Sequence, residues 1–129
     1  MAVRIVRLGS PRAADEGLRL GTVRRPPRGV PKAEFAAQDW YDLWFPNLAP
    51  SAATMKLGQQ ADSPAQWQAF TRRYRAEMAE PEHAHAIALL AQLSRQTHFS
   101  VGCYCEHESR CHRSILRELL AAQGAEFDA

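Results

Sequence analysis

The sequence predicts an α/β fold: a small, mostly parallel sheet of three or four strands flanked by helices, expected as a single domain over residues 1–129. Three observations carry that expectation. Short apolar runs suited to strands occur at Val3–Leu8, Leu18–Val23 and Thr97–Cys105. Between and after them lie stretches whose apolar residues recur at three- and four-residue steps, the period of a helix. Strands separated by helices in this way build parallel sheets covered by helices.

Taken in order, Val3–Leu8 alternates apolar and basic residues and is punctuated by Gly9-Ser10-Pro11. Ser10 is placed to cap a single turn through Ala14, with Pro11 at its first position. The second strand, Leu18–Val23, runs into Arg24-Arg-Pro-Pro-Arg-Gly-Val-Pro-Lys32, whose prolines and glycine make it a loop. Asp39 is expected to cap a short aromatic helix, Trp40–Phe45, stopped by Pro46. Ser51 is expected to cap a helix reaching Leu57, with Gly58 just past its end. Ser63-Pro-Ala-Gln66 is a capping box with proline at the first helical position, and Trp67, Phe70, Tyr74 and Met78 then form one buried stripe. Pro81 opens a helix to about Gln96, with Ile87, Leu90 and Leu93 facing inward and His83 and His85 at the surface. The strand Thr97–Cys105 is expected at the centre of the sheet. A charged loop and a last helix, Cys111–Gln123, follow, with Ile115, Leu116, Leu119 and Leu120 apolar and Gly124 at the end.

Hydrophobic residues at 46% and charged residues at 23% fit a soluble globular chain of 129 residues. No apolar run approaches the roughly 20 residues that cross a bilayer. The N-terminus lacks the apolar core and cleavage site of a secretion signal, so a cytoplasmic location and no membrane partner are the expectations. Three cysteines, odd in number and clustered, favour free thiols, a metal site or a reactive thiol over structural bridges. The formal charge of +2 is unevenly spread, at +6 over residues 1–32 and −4 over the rest. Such a split marks either a solvated basic face or a surface for anions or nucleic acid.

The chemically densest stretch is Phe99–Ser114, which holds Cys103, Cys105, Cys111, His107 and His112. Cys103 and Cys105, two apart on a strand, share a face. Cys103, Cys105, His107, Cys111 and His112 together form an inventory of zinc ligands, although the spacing departs from the usual Cys-x2-Cys pairs. Cys105-x4-Arg110 between strand and helix is similar to the loop of rhodanese-like sulfurtransferases, where amides and an arginine lower a thiol pKa. Here Glu106 and Glu108 oppose that arrangement and no glycine is present. Cys103 on its own reads as a small buried hydrophobe. Because ligands of open α/β sheets bind beyond the carboxyl ends of strands, the basic loop after the second strand is expected to meet the cysteine loop.

Arg24, Pro27-Arg-Gly-Val30, Lys32, Asp39-Trp40, Ala49-Pro-Ser51, Phe70-x3-Tyr74-x2-Glu77 and the C-terminal strand–loop–helix resemble the YeaO-like proteins, a bacterial family of unknown function. The resemblance runs from about Leu18 to Leu120. In those relatives the second strand leads into Asp-Arg-Leu-Trp-Pro-Arg-Gly; here Val23 stands for the aspartate, and Arg25 and Pro26 for Leu-Trp. The Cys111-His112-Arg113 turn matches, whereas Cys105-Glu106 does not complete the relatives' Cys-x-Glu. The resemblance implies a compact α/β fold with a site uniting Arg24, Arg28 and the Cys-His-Arg turn, and no established reaction or cofactor.

Three functional readings follow. The leading one is a small anionic ligand held by Arg24, Arg28, Lys32 and Arg110. Cys105, Cys111, His112 and Arg113 are its catalytic candidates if the protein is an enzyme, which the residues leave open. The second is a nucleic-acid module using Arg4, Arg7, Arg12 and the Arg24–Lys32 loop, a stretch without interleaved aromatics. The third is a zinc protein built on the cysteine–histidine cluster. The substrate, the reaction and the oligomeric state are not legible in the sequence.

Overall fold

Strand formation follows the apolar runs closely. In the computed structural model, which describes residues 1–128, β1 is Val3–Arg7, β2 is Leu18–Gly21, β3 is Leu43–Trp44 and β4 is Phe99–Cys103. They form one parallel sheet in the order β1-β4-β2-β3. Every residue of β4 is buried, as expected of a central strand in a parallel sheet. Its register places Phe99 between Val3 and Leu18, and Val101 between Ile5 and Leu20. The helices are α1 (Ala52–Gln60), α2 (Pro64–Met78), α3 (Pro81–Leu93) and α4 (His112–Ala122). None of these helices is long and apolar enough to cross a membrane.

The strands alternate faces, and the two faces are used differently. Val3, Leu20, Phe99 and Val101 meet the helices in the main core, with Phe70, Tyr74 and Met78 of α2, Ile87 and Leu90 of α3, and Ile115, Leu116 and Leu120 of α4. On the other face Arg19 is wholly buried and forms a forked ion pair with Glu16, at 2.7 and 2.9 Å. Ser100 Oγ donates to the same carboxylate at 2.7 Å, and the guanidinium also donates to the carbonyls of Ser10 and Asp39. Burial raises the Glu16 carboxyl, but the Arg19 and Ser100 hydrogen bonds outweigh it and the pKa falls to about 2. Gly21 is needed on this face because a Cβ there would lie 2.3 Å from the Tyr41 ring.

Two of the helices, α1 and α2, start at serine caps. Ser51 Oγ accepts from Thr54 N at the start of α1, and Ser63 Oγ accepts from Gln66 N at the start of α2. Glu77 of α2 reaches back to the first turn of α1, accepting from Ser51 N, Ser51 Oγ and Thr54 Oγ1 at 3.0, 2.6 and 2.8 Å. Tyr74 donates to the Leu48 carbonyl at 2.7 Å. The separated motifs Ala49-Pro-Ser51 and Tyr74-x2-Glu77 are therefore one wired contact between segments 48–54 and α2.

Four expectations are corrected. The aromatic stretch Trp40–Phe45 is not a helix: Leu43–Trp44 is the edge strand β3, paired with Leu20–Gly21. Asp39 does not cap it but takes a left-handed φ of 63°, and its carbonyl accepts from Gly9 N and Arg19. Backbone bonds from Asp42 N to Arg19 O and from Phe45 N to Gly21 O fix the extended path. Gly58 lies inside α1 rather than past its end, and its role is close packing, since a Cβ there would meet the Phe70 ring at 2.8 Å. Ser10 starts no helical turn; its hydroxyl donates to the Arg7 carbonyl. Leu93 closes α3 and is 38% exposed, so it lies outside the buried core.

Candidate functional site

The carboxyl ends of β2 and β4 lie side by side, and their outgoing chains diverge. The chain after β2 passes to β3 on one side, and the chain after β4 passes through α4 to residues that run beside β1 at Phe127. Such a divergence opens a crevice at strand ends in parallel sheets. Here it opens a cavity of about 1050 Å³. Its lining joins Arg24, Arg25 and Arg28 of the basic loop to Cys103, Cys105, Arg110, Cys111 and His112.

Polar ties hold the two loops in that position. Tyr104 Oη donates to the Arg25 carbonyl at 2.9 Å, linking the strand end to the basic loop. Arg24 Nε donates to the Pro50 carbonyl at 3.2 Å, and Trp44 Nε1 donates to the Val23 carbonyl at 2.7 Å. Thr22 is anchored on β4 through both its N–H and its hydroxyl, which donate to the Gly102 carbonyl at 3.0 and 2.9 Å.

The cavity floor is the thiol–imidazole cluster. Cys103 and Cys105 sulfurs are 3.7 Å apart, and Cys111 Sγ lies 3.6 Å from His112 Nδ1. Ligand atoms of Cys103, Cys111 and His112 all fall within 4.8 Å of one another, and all three residues are buried. Cys111 is the residue at which α4 begins, so its thiol sits at the positive end of the helix. Hydrogen bonds from Cys103 and Cys105 hold the Cys111 thiol well below the ordinary range, outweighing burial, with His112 adding to the effect. Cys103 is pushed up in return, by its contacts with Cys105 and Cys111 and by burial. His112 Nε2 is 2.8 Å from the Thr22 carbonyl. A carbonyl only accepts, so Nε2 carries a proton, and Nδ1 is the ring nitrogen that faces Cys111. The Tyr74 ring meets the imidazole edge-on at 5.5 Å and fixes its plane.

Not all sequence-nominated residues reach the cavity. Lys32 opens a 3₁₀ turn with Glu34 and is exposed outside the lining. His107 is exposed and stands apart from the thiol cluster. Arg113 is buried beneath the floor, donating to the carbonyls of Val6 and Cys105 at 2.7 and 2.6 Å. It acts on the site by holding the Cys105 backbone. Arg110 donates to the Ala61 carbonyl at 2.9 Å and lies over the Trp67 ring at 5.3 Å. It makes no hydrogen bond to Cys105 among the described residues, so Cys105-x4-Arg110 is not closed like a sulfurtransferase loop. Glu108 is drawn off by Arg117 in a forked pair of 2.7 and 2.9 Å.

The sequence reading overlooked the aromatic wall. Trp40, Trp44 and Trp67 line the cavity, with Phe70 and Tyr104. These are all the tryptophans of the chain, which was the available signal. Among the described residues, no aspartate or glutamate lines the cavity.

No curated protein and no solved structure matches this chain. The family model described as the active DUF488-N3 subclade matches residues 3–124, which include every strand, every helix and the whole cavity lining. The chain therefore belongs to the DUF488 family, a domain family of unknown function and the one that the YeaO-like resemblance names.

Proposed function

We propose that the cavity binds a small anionic ligand carrying a planar ring, of the nucleoside-monophosphate class. The observation that supports this most directly is the lining: four arginines, all three tryptophans and, among the described residues, no carboxylate. Guanidinium groups recognise phosphate and carboxylate as planar forks, and indole faces stack on planar rings. The volume is at the upper end of small-molecule sites. In this reading Arg24 and Arg28 hold the anion, Arg25 and Arg110 flank it, and the indoles sandwich the ring. Cys105, Cys111 and His112 face the ligand from the floor, where a reaction would take place, and Arg113 positions Cys105. The description of the subclade as active fits a reacting floor of this kind.

A nucleic-acid surface is less well supported. Arg4 is held by Asp15 and Asp128 at 2.9 and 2.7 Å, and Arg12 by Asp39 and Asp42 at 3.3 and 2.8 Å. Arg7 gives its Nε to the Tyr104 carbonyl at 3.3 Å. Of the basic residues in this reading, Arg24, Arg25, Arg28 and Lys32 are left without a carboxylate partner among the described residues.

Tryptophan fluorescence tests the proposal, since every indole lines the cavity. AMP is expected to change it saturably, while adenosine and inorganic phosphate, each half of the chemistry, act more weakly. Absence of any saturable response to AMP, GMP, CMP and UMP overturns the reading. So does tighter, steeply salt-dependent binding of single-stranded or duplex DNA probes.

A further inference from the structure

Three sulfurs and one imidazole converge at the cavity floor, two of the sulfurs packed in a small buried cluster with Leu8, Val23 and Tyr41. We infer that Cys103, Cys105, Cys111 and His112 form a zinc-class metal site. Tetrahedral zinc, with Zn–S of about 2.3 Å and Zn–N of about 2.0–2.1 Å, sets sulfur–sulfur edges of about 3.8 Å and sulfur–nitrogen edges of about 3.6 Å. The Cys103–Cys105 separation of 3.7 Å and the Cys111–His112 separation of 3.6 Å match both edges. Cys103, Cys111 and His112 lie within 4.8 Å of one another, so binding contracts these three by no more than about 1 Å, while the exposed Cys105 adjoins them through Cys103 and closes in as the fourth ligand. Three sulfurs and one imidazole are a soft donor set that selects zinc over calcium or magnesium.

Two observations outside the donor set point the same way. His112 donates its Nε2 proton to the Thr22 carbonyl at 2.8 Å, which leaves Nδ1 free to coordinate. Metal-bound histidines are oriented by such a hydrogen bond from the second nitrogen. The second observation is Arg113. Its guanidinium is buried and bound only to the carbonyls of Val6 and Cys105, and its Nε has no partner. Among the described residues no carboxylate pairs with it, so a buried positive charge is left uncompensated. A divalent ion with three thiolates and a neutral imidazole carries a net charge of −1, and Arg113 balances it. Binding is not a redox step: each thiol that is still protonated loses its proton to solvent as the three metal–sulfur bonds form.

This inference shares the cavity with the proposed ligand but does not depend on it. The test is metal analysis of the purified, reduced full chain, followed by chelation and reconstitution with cobalt(II). About one zinc per chain is expected, with thiols that react only after chelation, and a cobalt form showing thiolate-to-metal charge transfer and tetrahedral visible bands. Cys103→Ser and Cys111→Ser each abolish the cobalt spectrum, with circular dichroism checking that the variants fold. Arg28→Ala keeps the metal even where it loses AMP, so failure of one proposal is distinguishable from failure of the other. A wild-type protein that is metal-free, has three freely titrating thiols and binds no cobalt overturns the inference. A cobalt spectrum unchanged by Cys111→Ser overturns it as well.

Discussion

Two sets of arginines in this chain meet opposite fates. Arg4, Arg12 and Arg19, around β1 and β2, are each matched to carboxylates, and the Arg19–Glu16 pair is buried with further hydrogen bonds on both partners. Arg24, Arg25, Arg28 and Arg110, at the carboxyl ends of β2 and β4, have no carboxylate partner among the described residues. The first set spends its charge on the fold, while the second holds it toward a cavity. A segment that reads as uniformly basic in sequence is thus two electrostatic systems. Only the second leaves a field for an anion.

The comparison breaks most violently at Glu16. Replacing it by alanine leaves the Arg19 guanidinium buried and unpaired, and about 3–5 kcal/mol of stability is expected to go, read by denaturant unfolding. A loss below about 1 kcal/mol would show that the pair is not structural. Acid probes the same pair without mutation. The folded carboxyl titrates at about 2 against an ordinary 4.5, so its stabilisation is complete above 4.5 and disappears as pH falls through 2. Glu16→Gln removes that dependence, which unfolding midpoints measured across the window detect.

The cavity side behaves in reverse. Arg28→Ala is expected to weaken AMP about tenfold, or about 1.4 kcal/mol, with unfolding free energy changed by less than about 0.5 kcal/mol. Equal AMP affinity in the variant removes Arg28 from the site. The smallest effect is expected at Tyr104→Phe, which frees the basic loop from the strand end. It loses about 0.5–1.5 kcal/mol of stability and a few-fold in AMP affinity, measured by unfolding and by fluorescence titration.

Much of this was legible in the sequence. The central strand Phe99–Cys103 and the helices behind it follow from periodicity and caps, because local pattern and tertiary burial agree there. β3 was not legible: Trp40–Phe45 has helix-like spacing, and only pairing with Leu20–Gly21 and the left-handed Asp39 make it extended. The cysteine cluster was visible because its members are adjacent in sequence. Trp40, Trp44 and Trp67 converge only through the fold, from β3, its approach and α2. Glu16 and Arg19 likewise give no signal, since a charged pair at a strand start usually faces solvent.

The central claim is that the two arginine sets have separate tasks, and one crossed experiment addresses it. AMP affinity by tryptophan fluorescence and unfolding free energy are measured for Arg4→Gln/Arg12→Gln and for Arg24→Gln/Arg28→Gln. The matched pair is expected to lose about 0.5–2 kcal/mol of stability and keep its AMP affinity. The cavity pair is expected to keep its stability and lose about a hundredfold in affinity, or about 2.7 kcal/mol. Equal AMP affinity in the two double variants would contradict the account.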